Sequence, residues 1–470
     1  MIELAKKSLT IDDILTATGA ELIIGARSAT FSGLSIDSRT IRPKELFWTL
    51  KGERFDSHAF VGEVMSRGAA GAVVGLDFTL PAGDWPKEGV LIRVKDRLWA
   101  LQETARYLRQ QYSAVPLVAI TGSNGKTTTK EMLASILTCK GRVLKTEGNR
   151  NNLIGLPLTL CGLSDEVKAV VLELGMNAFG EIARLTQICQ PDVGLITNIG
   201  PAHIEFFGSL EKISQAKGEL YDQMKPEAVA IINLDDPYCL KLASRRRRII
   251  TFGLTEGADL RGENIRQEEM KTSFTLRTGA ERVEITIPLI GRVNVYNALA
   301  AAAAARALRI PLSHIRRGLE QVVLPPMRMM RLAGPNGSII MNDAYNANPA
   351  SMCSAIDTLI QSKKGEGRAI LVLGDMLELG ADAERFHRQI GRLVAHNSID
   401  FLFTCGPLAH WIAEEALANG MDKNCIFSDL SHNQIAETLK TLLAPNDRVL
   451  VKGSRGARME MVVNLLIDGR

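Results

Sequence analysis

Residues 118–133 read VAITGSNGKTTTKEML. An apolar run, a glycine-bearing turn and a helix-forming run follow one another, which predicts strand, turn and helix. A phosphate-binding loop usually reads G-x-x-x-x-G-K-[ST]. Gly125, Lys126 and Thr127 supply its second half, but Ile120 stands where the first glycine is expected, and the nearest upstream glycine is Gly122. Gly122 and Gly125 let the backbone curl and approach oxygen atoms closely. Successive N–H groups at a helix N-terminus then face an anion. Lys126 would reach terminal phosphates and the Thr127 hydroxyl would hold Mg²⁺. The plainer alternative is a strand-to-helix turn with an N-terminal cap. G-K-T-T directly after an apolar strand favours phosphate binding, and the absent first glycine argues against an ordinary ATPase or kinase.

Outward from the loop, the runs 117–120, 169–175, 193–199 and 228–233 are buried-strand candidates, each followed by a polar or glycine-bearing loop. Beyond Pro325-Pro326 the runs 338–345, 368–376, 400–406 and 448–454 alternate with helical patterns such as 383–397. That alternation predicts βαβ units and parallel sheets, hence an α/β fold. At roughly 100–200 residues per domain, 470 residues predict two to four domains. Breaks near Pro116 and at 322–328 divide the chain into regions 1–113, 114–324 and 325–470. Ligands of open α/β sheets bind outside the carboxyl ends of strands, and the unusual residues fall there. Glu173 ends an apolar run. Ionised acids are rarely buried unless paired or metal-bound, and Mg²⁺ takes oxygen ligands; a solvated strand-end glutamate is the alternative. His203 follows the run 193–199; read alone, it fits a structural role as well as a ligand. Lys217 lies on a predicted helix between small Ala216 and Gly218, where a lysine is ordinarily a solvated stem.

Composition narrows the class. Hydrophobic residues make up 46% and charged residues 23%, as in soluble globular proteins. A net charge of +4 from 56 basic and 52 acidic residues gives no argument for nucleic acid. The one charge run, SRRRR at 244–248, reads as a solvated turn. The most apolar stretch, 297–308, is too short for a bilayer, which needs about 20 residues; it predicts a buried alanine-rich helix and no membrane insertion. Seven isolated cysteines form no CxxC pair or zinc spacing, and the N-terminus carries charges where a signal peptide is apolar. Both point to the cytoplasm.

Taken together, these residues resemble the Mur ligase superfamily of ATP-dependent amide-forming enzymes. Its loop is of the shortened G-[ST]-x-G-K-[ST]-[ST] kind, and GSNGKTT at 122–128 matches it. EGNRNNLIGLP (147–157), TNIGPAHIEFFGS (197–209), GRVNVYNALAA (291–301), NDAYNANP (342–349), LGDMLELG (373–380) and VKGSRGARME (451–460) extend the resemblance through all three regions. So does SIDSRTIRPKELFWTLKGERFDSHAF (35–60). Four positions depart from the pattern: Val293 replaces a histidine, Met327 a glycine, and Lys44 and Ser57 two further glycines. No Asn-Pro-Arg occurs, which favours the dipeptide-adding branch over the diaminopimelate-adding one.

The resemblance implies a small N-terminal α/β UDP-sugar domain (1–113), a central phosphate-loop ATPase-like parallel-sheet domain (114–324) and a C-terminal Rossmann-like domain (325–470). It implies an ATP-dependent ligase joining UDP-MurNAc-tripeptide to D-Ala-D-Ala, working as a cytoplasmic monomer in peptidoglycan synthesis. Gly122, Ser123, Asn124, Gly125, Lys126, Thr127 and Thr128 would bind ATP, with Asn294, Asn297, Arg328, Asp343, Tyr345 and Asn346. Asp37, Ser38 and Arg39, with Asn149, Asn151 and Asn152, would orient the UDP-sugar. Lys126, Glu173, His203, Lys217 and Arg328 would carry catalysis. Thr127 and Glu173 would hold one Mg²⁺, His203 and a carbamylated Lys217 a second. Lys452, Ser454 and Arg455 face either dipeptide carboxylate or phosphates, or only end a strand. Two other readings stay open: a sister ligase with another amine, and a phosphate-loop NTPase of another class.

Overall fold

The computed structural model describes residues 2–3, 9–52, 55–80, 85–86, 89–202, 204–268, 271–363 and 367–467. Three separate sheets follow one another along the chain. The first has six strands in the order Ile2–Glu3, Gly33–Ser35, Glu45–Trp48, Gly71–Val74, Val90–Arg93, Glu21–Ile24, parallel except at its two edges. The second has nine. Its parallel part runs Arg142–Lys145, Val167–Glu173, Leu117–Thr121, Val193–Ile196, Val229–Asn233, Ile249–Gly253, Leu260–Gln267. An antiparallel extension, Thr272–Thr278 and Glu281–Ile287, continues it. The third has six in the order Met330–Ala333, Ile339–Asp343, Arg448–Lys452, Ala369–Gly374, Phe401–Cys405, Ile426–Phe427, with only the first antiparallel. The α/β expectation holds, and Ile339–Asp343, Ala369–Gly374, Phe401–Cys405 and Arg448–Lys452 lie within the four runs read from sequence after the Pro-Pro break, whereas Met330–Ala333 and Ile426–Phe427 fall outside them.

The central sheet is buried on both faces, which is why its strands read as unbroken apolar runs. One face is covered by Lys126–Leu137 and by Arg292–Ala307. In the latter, Ala298 and Ala300 to Ala305 are all buried. Their small side chains bring this helix close against both the helix that follows the loop and the strands beneath it. Because Leu117–Thr121 lies between Val167–Glu173 and Val193–Ile196, Ile120 pairs with Glu173 and Thr121 with Ile196. The carboxyl ends carrying the loop, the glutamate and the 197–200 segment therefore emerge side by side. No helix among the described residues is long and apolar enough to cross a membrane.

In the run 244–248, Ser244, Arg245, Arg247 and Arg248 are exposed as a solvated turn requires, and Arg246 alone departs from that expectation. Arg246 donates to the carbonyls of Tyr221, Met224 and Ala228 at 3.3, 3.1 and 2.9 Å, satisfying the end of helix Leu210–Gln223. Arg245 pairs with Asp222 at 2.6 Å.

In the first sheet's domain, Asp56, His58 and Asp77 cluster as metal ligands do. His58 Nε2 accepts from the Gly75 N–H at 2.9 Å, so the neutral ring keeps its proton on Nδ1, toward the two carboxylates. Asp56 is gripped at both oxygens by Arg97, at 2.6 and 2.8 Å. This is an ion-pair network, not a metal centre. Hydrogen bonding by the Arg97 guanidinium holds the Asp56 carboxyl well below the usual carboxylate range. A carboxyl lowered in the folded state contributes stability fully above its unfolded pKa near about 4, and loses it as pH falls toward the folded value. Arg97→Ala is expected to destabilise the protein by about 2–3 kcal/mol near neutrality. The gap to wild type should narrow in urea unfolding at about pH 3.

Candidate active site

The loop at 122–125 owes its shape to its two glycines. Gly122 has φ 143° and Gly125 φ 81°. A Cβ on Gly122 would sit 1.9 Å from Thr197 Oγ1, and one on Gly125 2.3 Å from Asn297 Oδ1. Neighbouring polar groups thus close on the loop's backbone from two sides. The Ser123 N–H donates to the Asn198 carbonyl at 2.9 Å and the Asn124 N–H to Asn198 Oδ1 at 3.0 Å. Thr197 Oγ1 donates to the Asn124 carbonyl at 2.6 Å, and Ser123 Oγ to the Gly200 carbonyl at 2.9 Å. Helix Lys126–Leu137 starts at Gly125 with no side-chain cap, so its first N–H groups remain for an anion. Lys126 is half-buried and donates to the Gly122 carbonyl at 2.6 Å. Burial lowers its pKa, the nearby Glu173 opposes the shift, and Arg328 reinforces it.

Glu173 accepts from the Thr127 hydroxyl at 3.2 Å through Oε2. Its Oε1 is buried without a hydrogen-bond partner; Lys130 Nζ stands 3.3 Å away, in ion-pair range but misaligned for a hydrogen bond. Two oxygen donors side by side, one of them orphaned, fit Mg²⁺. Lys130 was missed from sequence. It is buried one turn beyond Lys126, donates to the Thr146 carbonyl at 2.6 Å and lies 3.0 Å from Glu131. The four-residue spacing on one helix was the available signal. Lys217 is deeply buried rather than a solvated stem. Burial first, and then the charge of Lys126, hold its pKa well below the ordinary lysine value. His203 lies outside the described residues.

The third sheet reaches the loop. Asn348 Nδ2 donates to Asn124 Oδ1 at 2.8 Å, a contact not singled out from sequence. A cleft of about 180 Å³ is lined by Ser123, Lys126, Pro201 and Ala202 on one wall, and by segments 346–348, 377–379 and 454–456 on the other. Arg328 stacks on the Tyr345 ring at 4.1 Å. Asp343 pairs with Lys452 at 2.5 Å, and Lys452 also donates to the Asn346 carbonyl at 2.9 Å. A larger cavity of about 380 Å³ lies beside Val293, Asn297 and Ala300, with Asp235 and Asn198 among its other lining residues. Asn297 lines that cavity but is also tied to Asn294 Oδ1 at 3.1 Å, and Asn294 to the Ile290 carbonyl at 2.8 Å. Asn294 thereby orients Asn297, whose Oδ1 closes on Gly125 of the loop.

The sugar-binding candidates fall in two places. Asp37 and Arg39 form a two-pronged pair at 2.9 and 2.7 Å, which holds the Asp37 carboxyl at about 2. The Ser38 carbonyl accepts from Arg67 at 3.0 Å. In the central domain, Asn152 Oδ1 caps helix Gly155–Leu160 at the Gly155 N–H, 2.8 Å. The Asn151 carbonyl accepts from the Gly175 N–H and the Asn149 carbonyl from the Asn151 N–H, both at 2.8 Å. Asn149, Asn151 and Asn152 thus lie beside the end of the Glu173 strand.

Residues 120–305 match the Mur ligase middle domain, and residues 327–455 match the Mur ligase glutamate ligase domain. A Bacillus subtilis protein named UDP-N-acetylmuramoyl-tripeptide–D-alanyl-D-alanine ligase is 38% identical over 437 residues, covering 93% of each chain. A crystal structure of MurF from Acinetobacter baumannii superposes with TM-score 0.88 at 32% identity, covering 98% of this chain and 99% of that one. MurF ligase from Thermotoga maritima in complex with ADP gives 0.80 at 29% identity, over 92% and 96%. The chain belongs to the Mur ligase family.

A methyl group at Gly125 would force apart the loop and Asn297. Gly125→Ala is expected to raise the Kd for ATP at least about tenfold, read by isothermal titration, while far-ultraviolet circular dichroism stays unchanged.

Proposed function

We propose that this Mur ligase is the enzyme that joins the terminal carboxylate of UDP-MurNAc-tripeptide to the amine of D-Ala-D-Ala, using ATP. One observation supports it most. Lys126 of the phosphate loop and the 346–348 and 454–456 segments line a single cleft, so a carboxylate activated at the loop faces an amine held on the opposite wall. The name carried by relatives over most of the chain agrees with that reading.

A carboxylate is a poor acyl donor because its leaving group would be oxide. ATP removes that obstacle. The γ-phosphoryl group passes to a carboxylate oxygen, the bond to ADP breaks, and an acyl phosphate forms. The neutral amine attacks the acyl carbon. The resulting tetrahedral adduct expels phosphate carrying the former carboxylate oxygen, and the amide nitrogen gives its surplus proton to solvent. The protein's part is positioning and charge neutralisation. Lys126 leaves the Gly122 carbonyl to meet the terminal phosphates, and Arg328 approaches from the third domain. Thr127 and Glu173 would hold one Mg²⁺, and His203 and a carbamylated Lys217 a second. Bound Mg²⁺ supplies positive charge against the phosphates.

Burial pushes the Lys217 pKa well below the ordinary lysine value and so favours the neutral amine, the form that adds CO₂. The resulting carbamate is an anionic oxygen donor close to Lys126, where an ammonium group would be repelled. Asn294, Asn297, Asp343, Tyr345 and Asn346 hold the nucleoside. Asp37, Ser38, Arg39, Asn149, Asn151 and Asn152 orient the UDP-sugar. The protein acts as a monomer in the cytoplasm, where its free cysteines stay reduced.

Phosphate release is expected only when Mg-ATP, the sugar tripeptide and D-Ala-D-Ala are all present, with pentapeptide product seen by mass spectrometry. Release with ATP alone would instead indicate an NTPase, and release with a different amine a sister ligase. Lys217→Ala is expected to lose at least about 10²–10³ in rate and to regain part of it with added short carboxylates. Wild type given isotope-labelled bicarbonate should show a carbamate resonance that the variant lacks. An unmodified, fully active alanine variant would refute the carbamate.

A further inference from the structure

The helix that follows the phosphate loop carries a second lysine to which the reaction given above assigns no part. Lys130 is only 2% exposed, and an ammonium group so far from water is costly unless oxygens surround it. Its three N–H donors meet three of them. The Thr146 carbonyl accepts at 2.6 Å, Glu131 Oε1 lies at 3.0 Å and Glu173 Oε1 at 3.3 Å.

The first two partners do not account for the charge. Glu131 already has a cation in Lys145, which bonds its other oxygen. The Thr146 carbonyl would be satisfied equally by a neutral donor. What remains for the positive charge of Lys130 is Glu173, whose Oε1 has no hydrogen-bond partner. Glu173 does not need the lysine to hold it in place. Its N–H donates to Thr146 Oγ1 at 2.9 Å, and its Oε2 accepts from the Thr127 hydroxyl at 3.2 Å. The contact between Lys130 and Glu173 is thus electrostatic. It can be given up while Thr146 and Glu131 keep the ammonium paired.

We infer that Lys130 is a stand-in cation for the metal at Glu173: it neutralises this buried carboxylate when no metal is bound, and it opposes a divalent ion there until the ion displaces it onto Thr146 and Glu131. This rests on the reading of Glu173 as a Mg²⁺ ligand. A like charge a few ångströms from the ion weakens binding by at least about tenfold at the effective dielectric of a protein site. A lysine that served only as a strut would do the reverse, since its removal would loosen the ligand and lose the metal.

The test titrates the full chain with Mn²⁺ alone and reads free Mn²⁺ by electron paramagnetic resonance. Wild type is compared with Lys130→Met, with Lys130→Met combined with Glu131→Gln, and with Glu173→Gln. Methionine keeps the length of the stem and removes the charge. The combined variant also removes one carboxylate, so the net charge of the buried cluster is unchanged. Both Lys130 variants should bind Mn²⁺ at least about tenfold tighter than wild type. Mn²⁺ should also raise their melting temperatures by more than it raises that of wild type. Lys130 variants that bind Mn²⁺ no more tightly than wild type, or more weakly, overturn the inference and leave Lys130 a strut. Glu173→Gln should lose Mn²⁺ binding. If it binds as wild type does, the reading of Glu173 as a metal ligand fails, a result distinguishable from failure of the inference alone.

Discussion

The central domain depends on the grip of segment 197–200 on the backbone of the phosphate loop. A loop that presents its N–H groups to a polyanion cannot bury them within itself, and its carbonyls need partners elsewhere. Thr197 Oγ1 and Asn198 Nδ2 supply them to the Asn124 carbonyl, Asn198 Oδ1 accepts the Asn124 N–H, and the Gly200 N–H holds the Ser123 side chain. They do so because their strand lies next to the strand that carries the loop. Asp236 extends the brace by accepting the Ile199 N–H at 2.8 Å while capping the helix at Pro237–Leu242. Preorganisation of this kind is fixed at folding, so it need not be re-established each time nucleotide binds.

The same region concentrates charge where a stability-optimised core would have none. Lys130, Glu131, Glu173 and Lys217 are buried, and Lys126 beside them is half-buried. Burying ions costs several kcal/mol each unless partners compensate. Glu131 is compensated by Lys130 and Lys145, whereas Glu173 keeps an orphaned oxygen and burial holds the Lys217 pKa well below the ordinary lysine value. The groups left incompletely satisfied are those to which the mechanism gives metal ligation.

Much of this was legible in the sequence, for identifiable reasons. Strands buried on both faces give continuous apolar runs, so Leu117–Thr121, Val167–Glu173, Val193–Ile196 and Val229–Asn233 stood out. The loop showed through its glycines, which the structure explains by close approach of Thr197 and Asn297. The antiparallel strands Thr272–Thr278 and Glu281–Ile287 were not identified, because one-sided burial leaves only a weak alternation. Arg246 read as surface because its partners are main-chain carbonyls, which have no residue type. Asn348 and Lys130 were passed over for a related reason: their importance lies in contacts across domains or between buried charges, which local sequence does not encode.

The central claim is that the phosphate loop activates the tripeptide's carboxylate and not a water molecule. It is tested most directly by placing heavy oxygen on that carboxylate and analysing the phosphate released during turnover with ATP and D-Ala-D-Ala. Passage through an acyl phosphate transfers label from the carboxylate to the phosphate, because the carboxylate oxygen that accepts the phosphoryl group leaves with it. Unlabelled phosphate, with full label retained in the peptide product, would contradict the account.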